Sequence, residues 1–416
     1  MAMALDQIDL SDIEFWARPW ADREEAFATL RAQDPIRFFE EPEIPMLPKG
    51  PGYWALTRHA DVLEASKHPD KFQSGKGSNI GDMPQDFLEF FGSMINMDDP
   101  KHARLRKIVS RAFTPKTLNQ VTDQVEEAAK SVIDEVIDKG SCDFVTEVAA
   151  VLPLRIIVDM MGIDRSDEKF IFDRTNVILG AGDPEYVPDQ DNPGAVMTAL
   201  LTAGQELAMM VQQLGEDRIK NPKDDLITAL ITADVDGEKL SAAELGSFFI
   251  LLVVAGNETT RNAIAHGLHV LTEHPEQKQL WMGDFDSLTN TAVEELVRWA
   301  TPVIHFRRTV TADGIRIADH EFNEGDKVVL FYNSANRDEA VFDNPQTFDV
   351  RRTPNDHVGF GGPGPHFCLG AHLARREITV LFRQLFQRIP DIHATGQPER
   401  LRSNFINGIK HLPAAW

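Results

Sequence analysis

Between Ser241 and Pro275 the chain holds a helical pattern for more than thirty residues. At ~1.5 Å per residue such a helix is about 50 Å long, so it must cross the whole body of the protein. Ser241-x-x-Glu244 reads as a capping box at its start, and Pro275 stops it. Its apolar run, 248–255, is far shorter than the ~20 residues a bilayer span needs. Helical patterns dominate elsewhere. Ser11-x-x-Glu14 reads as another capping box, Thr114-Pro115 opens a long helix that stops near Gly140, and a last helix runs from just after Cys368 to about Arg388. Short strands are expected at 35–41 and 52–58, joined by a Pro/Gly-rich turn, then at 304–310, at 328–332, and as a closing strand or hairpin near 404–411. The stretch 181–194, rich in Gly, Asp and Pro, reads as a surface loop, either a plain connector or a lid. The expected fold class is mainly α with small β-sheets, as a single domain over 1–416.

The N-terminus carries acid rather than a basic region, and no long apolar run follows, so no signal peptide is read. Two cysteines in 416 residues suit a reducing cytoplasm and leave no disulfide framework. A formal charge of −23 repels nucleic acid and anionic lipid. No nicotinamide- or flavin-binding glycine motif and no phosphate-binding loop is visible.

Chemistry concentrates in two places. The run His-Val-Gly-Phe-Gly-Gly-Pro-Gly-Pro-His-Phe-Cys-Leu-Gly, 357–370, delivers Cys368 to a helix N-terminus. Backbone N–H groups and the helix dipole favour a thiolate there. Three uses of Cys368 stand open: axial ligation of haem iron, a zinc shell with His357, His366 and His372, or an inert packed thiol. The second place is Ala255-Gly256-Asn257-Glu258-Thr259-Thr260 inside the long helix. Either Gly256 loosens the helix and Glu258 turns to solvent, or Glu258 and Thr259 form a buried acid–alcohol pair that relays protons. Glu295-x-x-Arg298 reads either as a surface pair, equally well made by Glu294 and Arg298, or as a buried one. His102 and Arg106 share one helical face, and with Arg308 and His366 they are four potential donors to an anionic group.

Taken together, these segments resemble the cytochrome P450 family of haem-thiolate monooxygenases. The resemblance is carried by 102–106, 255–260, 295–298, Ser334-Ala-Asn-Arg-Asp338 with Phe342, Phe348 and Arg351, and 360–370, in the family's order. It implies haem b, with Cys368 as the iron ligand and Gly370 allowing close approach to sulfur. It also implies Glu258 and Thr259 in oxygen activation, His102, Arg106, Arg308 and His366 on the haem propionates, and Glu295, Arg298 and Arg351 as a structural ion-pair triad. The haem is expected between the long helix and the cysteine loop. One departure stands out: the family's aromatic seven residues before the cysteine is Gly361 here, and Phe360 lies eight before.

The loop, with 91–95, 248–262 and 405–410, looks closest to methyl-branched lipid ω-hydroxylases, with cholesterol side-chain oxidases second. The implied reaction hydroxylates an apolar lipid or sterol with O₂ and two electrons from a ferredoxin and its reductase. A peroxide-driven enzyme and a non-catalytic haem protein are the alternatives. Ile95, Leu179, Val254, Ala255, Val303 and Phe405 are expected substrate contacts, and Arg104, Lys107, Arg111, Arg375 and Arg376 an expected ferredoxin-docking patch. A monomer without a membrane span is expected.

Overall fold

The computed structural model describes residues 3–41, 49–112, 115–234 and 237–416. They form two compact units: one of 1–85, 274–371 and 400–408, the other of 86–273, 372–399 and 409–416. Thr114 and the turn residues 42–48 lie outside the described residues.

In the first unit, the β-branched and aromatic run Lys327–Phe331 is buried throughout and forms the middle of a five-stranded sheet. Tyr53–Leu56 pairs with it in parallel, Trp54 against Val328, and His305–Val310 pairs antiparallel, His305 against Phe331. Ile36–Phe39 and Phe72–Gln73 are the edges. Phe331 extends the aromatic core of Trp16 and Phe27, with ring centroids 6.2 and 5.3 Å away. The expected capping box at Ser11 does not form. Asp12 caps Ile13–Ala17 instead, because the Ser11 hydroxyl donates to the Glu40 carbonyl.

The second unit is built on the long helix, Ala242–Glu273, and its capping box is present. Ser241 N–H donates to Glu244 Oε2 at 2.9 Å, and Glu244 N–H to Ser241 Oγ at 3.2 Å. The helix packs on Val151–Met161, Glu168–Leu179 and Pro193–Lys220. Gly256 does not loosen it. A Cβ there would fall 2.8 Å from Ile157 Cδ1, so the glycine serves close helix packing. By length and composition alone, Pro193–Lys220 and Ala242–Glu273 are each apolar enough to cross a membrane; half of the latter's apolar window is spent on the interior. Pro115–Val136 runs on through a short turn to Gly140, whose φ of +71° ends it.

Segment 181–192 is fastened by charge. Lys410 Nζ reaches Asp183 at 3.1 Å, Glu185 at 2.8 Å and Glu399 at 3.1 Å. His411 lies 2.5 Å from Asp143 and 3.0 Å from Glu185. Burial opposes charge on His411, but its bonds to the two carboxylates outweigh that and raise its pKa.

Candidate active site

The cysteine loop closes on itself in the first unit. Cys368 N–H donates to the Phe360 carbonyl at 3.0 Å, and Gly361 N–H to Val358 at 2.9 Å. Gly361 takes φ +88°, a left-handed conformation that an aromatic side chain would resist. The departure at this position is thus absorbed by backbone geometry, and Phe360 still abuts the cysteine through its carbonyl. Gly364, at φ +150°, passes so close to the Ser66 carbonyl that a Cβ would fall 2.4 Å from it. At Gly370 a Cβ would stand 4.0 Å from Cys368 Sγ, an ordinary contact, so the sulfur alone does not demand glycine.

Cys368 is exposed, flanked by Phe367 (40%) and Leu369 (39%), which are among the exposed large apolar side chains. A thiol set in an apolar patch suits a broad, flat, apolar ligand such as haem, so the residues present fit the group. The zinc alternative loses His357. Its Nε2 lies 2.8 Å from Glu294, and its Nδ1 accepts the Gly359 N–H at 3.0 Å. No cluster of three metal-ligating side chains occurs among the described residues. Cys142 is the inert cysteine: burial pushes its thiol up to about 12.

Beneath this loop, Glu295 and Arg298 of helix Phe285–Ala300 form a fork–fork pair at 2.7 and 2.8 Å, both side chains 0% exposed. The surface reading of this pair is therefore excluded. The expected third member, Arg351, is not there: it is exposed and lies 3.5 Å from Asp349. The turn in which Arg352 N–H bonds the Asp349 carbonyl instead brings Arg352 in, and its Nε donates to Glu295 Oε2 at 3.1 Å.

In the second unit, Glu258 is buried, not turned to solvent (1% exposed). Its Oε1 accepts from Arg261 Nη2 and, at 3.0 Å, from Asn262 Nδ2. Thr259 Oγ1 donates back to the Ala255 carbonyl at 2.7 Å. Leu251, Ala255 and Thr259, spaced by four, are only partly covered, so one apolar stripe of this helix ends at a hydroxyl. Two of these groups, Arg261 and Asn262, escaped the sequence reading, although Glu258-x-x-Arg261 repeats the spacing of Glu295-x-x-Arg298.

The expected propionate donors fall in both units. Buried His102, Nδ1 3.3 Å from Asp99, and half-buried Arg106 share helix Lys101–Ala112. Burial lowers the His102 pKa, with Asp99 pulling the other way. Buried Arg308 donates to the Arg307 carbonyl at 2.8 Å on strand His305–Val310, and His366 is half-buried in the cysteine loop. Of the expected substrate contacts, Val303 and Phe405 are neighbours: Val303 bridges Ile406, and Ile304 N–H bonds the Phe405 carbonyl at 2.8 Å. Ile95 and Leu179 lie on helices that pack against the helix of Val254 and Ala255. Within the expected docking patch, Arg104 is held by Glu238 and Glu244, Arg111 by the Asp234 carbonyl, and Arg376 by Glu126.

One further acid was missed. Glu377 on helix Ala371–Arg388 is buried, and burial pushes its carboxyl up to about 8 against a hydrogen bond from Thr260. A raised carboxylate pKa means that the folded state keeps a proton the unfolded state loses. Stability therefore falls as pH rises from the ordinary glutamate range to about 8. Glu377→Gln is expected to be more stable than the parent by a few kcal/mol, on the order of the shift, at pH 8 and above. The gain should vanish below about pH 4.5. Urea denaturation at several pH values checks this, and a gain independent of pH refutes it.

Comparison with known proteins fits this geometry. A cytochrome P450 family profile matches residues 193–282 and 287–399. The methyl-branched lipid omega-hydroxylase of Mycobacterium tuberculosis is 50% identical over 98% of this chain and 94% of that protein. The steroid C26-monooxygenase of Mycolicibacterium smegmatis is 40% identical over 93% of this chain and 89% of that protein. A Mycobacterium marinum cytochrome P450 solved in complex with pseudoionone superposes with a TM-score of 0.93 at 41% identity, covering 100% of this chain and 99% of that one. The thiol-bearing loop, the buried Glu295–Arg298 pair and the acid–alcohol helix therefore belong to a cytochrome P450, and the chain is a monooxygenase of that haem-dependent family.

Proposed function

We propose that this enzyme hydroxylates the terminal carbon of methyl-branched lipids, using O₂ and two electrons relayed by a ferredoxin and its reductase. The observation that carries the substrate class is the apolar, partly uncovered stripe of Leu251, Ala255 and Thr259 beside a buried acid. Such a surface accepts hydrocarbon and offers no partner to a charged group. The name of the 50%-identical relative supports branched lipid over other apolar substrates.

Cys368 would hold haem b through its thiolate, and the bound group would supply the oxidising chemistry. The chain's own residues do the rest. Arg308 and His366 of the first unit, and His102 and Arg106 of the second, are the donors we assign to the propionates, which they would hold by charge-assisted hydrogen bonds. Glu258 passes protons inward through its carboxyl, and Thr259 offers its hydroxyl once it leaves the Ala255 carbonyl. Ile95, Leu179, Val254 and Ala255 of the second unit, and Val303 and Phe405 of the first, are the side chains we assign to substrate contact. We take residues 1–416 as one domain, monomeric and cytoplasmic. The charge of −23 favours a soluble, self-repelling particle.

A second reading, hydroxylation of a sterol side chain, rests on the 40%-identical steroid enzyme. Spectral titrations with a methyl-branched fatty acid, its linear counterpart and a cholestenone separate the two. We expect the branched acid to bind at least about tenfold more tightly, a difference of ~1.4 kcal/mol, and to be oxidised at its terminus. Equal binding of all three, or oxidation away from the terminus, overturns the branched-lipid assignment.

A further inference from the structure

We propose that Arg261 is the positioning residue of the proton relay, gripping Glu258 by one oxygen and tying it to helix Glu168–Leu179. The inference rests on the reading of Glu258 as the relay acid.

Two Glu-x-x-Arg pairs in this chain share the same helical spacing and are both buried, yet they are built differently. Arg298 meets Glu295 with two parallel bonds, so both carboxylate oxygens are occupied. Arg261 meets Glu258 through Nη2 alone, and only at Oε1. Asn262 adds a second bond to that same oxygen. Glu258 Oε2 is buried and has no hydrogen-bond partner, and neither has Arg261 Nε. A purely structural pair would close the fork, because a buried unsatisfied oxygen costs free energy. One pinned oxygen and one open oxygen instead give a carboxylate that keeps its place while its free end takes and releases a proton.

Asn262 is fixed, because its Oδ1 accepts the Ile409 N–H at 2.9 Å. Arg261 holds a neighbouring element with its other hand. Its Nη1 donates to Asn176 Oδ1 at 2.9 Å, and its guanidinium lies over Phe172, 5.6 Å from the ring centroid. Asn176 and Phe172 belong to the helix that also carries Leu179. Through this contact a shift of that helix would move the grip on the acid. Tyr186 feels the charges of both Arg261 and Glu258, and Glu185 and Lys410 act on that same tyrosine.

The test uses the haem-loaded enzyme, with the infrared carboxyl band of residue 258 assigned by Glu258→Gln. Arg261→Gln is expected to shift that band toward the protonated form at neutral pH. It should also raise the share of electrons lost as hydrogen peroxide at least fivefold and change the solvent deuterium isotope effect. Arg261→Lys should restore both band and coupling in large part. Asn176→Ala should abolish any change of the band on adding 15-methylhexadecanoic acid. If Arg261→Gln lowers stability but leaves band, peroxide loss and isotope effect as in the parent, Arg261 is only structural and the inference falls. If Glu258→Gln itself leaves peroxide loss unchanged, the relay assignment beneath it fails instead.

Discussion

Cys368→Ser is expected to remove the red-shifted Soret band of the reduced, carbon monoxide-bound protein and to cut lipid hydroxylation by about a thousandfold or more, because in the proposed reading the thiolate would be both the iron ligand and the electron donor to it. A serine hydroxyl holds its proton at neutral pH and cannot replace that anion. The surrounding loop has little reason to unfold. Its turn is set by backbone bonds from Cys368 N–H to Phe360 and from Gly361 N–H to Val358, and serine keeps the former. Circular dichroism of the variant should therefore match the parent while its colour does not. An unchanged absorption spectrum would remove the basis for every role given to this site.

Arg298→Ala is expected to be the most destabilising single change in the first unit. The guanidinium makes two bonds to Glu295 and donates to the carbonyls of Asn336 at 2.9 Å, Pro345 at 3.0 Å and Thr347 at 3.4 Å. Its loss takes two bonds from a buried carboxylate that Arg352 still holds, and it leaves the Asn336 and Pro345 carbonyls without this donor. Breaking a buried pair from one side costs about 3–5 kcal/mol. Arg351→Ala is the control: its exposed contact with Asp349 is worth less than about 1 kcal/mol. Urea midpoints compare the two, and equal losses would show that the pair does not organise this region.

The contrast between Arg351 and Arg352 shows where the sequence stops being readable. Glu295-x-x-Arg298 announces a pair by helical spacing, but adjacent arginines in a turn differ only in which way the backbone points. The Arg352 N–H to Asp349 bond decides that, and no periodicity reports it. The long helix, its capping box and its stop were legible because spacing and cap chemistry are local. Gly256 was misread because its reason is Ile157, about a hundred residues away in sequence. Glu377 was hidden behind Arg375 and Arg376, which suggest an exposed face. The signal was present all the same: Glu377 lies four residues from both Leu373 and Leu381, on the apolar side of its helix. The cysteine loop was legible as chemistry, whereas the left-handed turn at Gly361 that absorbs its extra residue emerged only from the backbone.

Segment 181–192 is anchored at Lys410 and His411 by ionic contacts of unequal depth. The Asp183 carboxylate is almost wholly enclosed, while that of Glu185 is about a third exposed. Dissolved salt screens an exposed attraction far more than an enclosed one. As ionic strength climbs, the rim of this fastening should weaken while its inner end persists. The segment then pivots about Asp183 instead of coming away whole, and a hydrocarbon, having no charge to trade, cannot compete for the anchor.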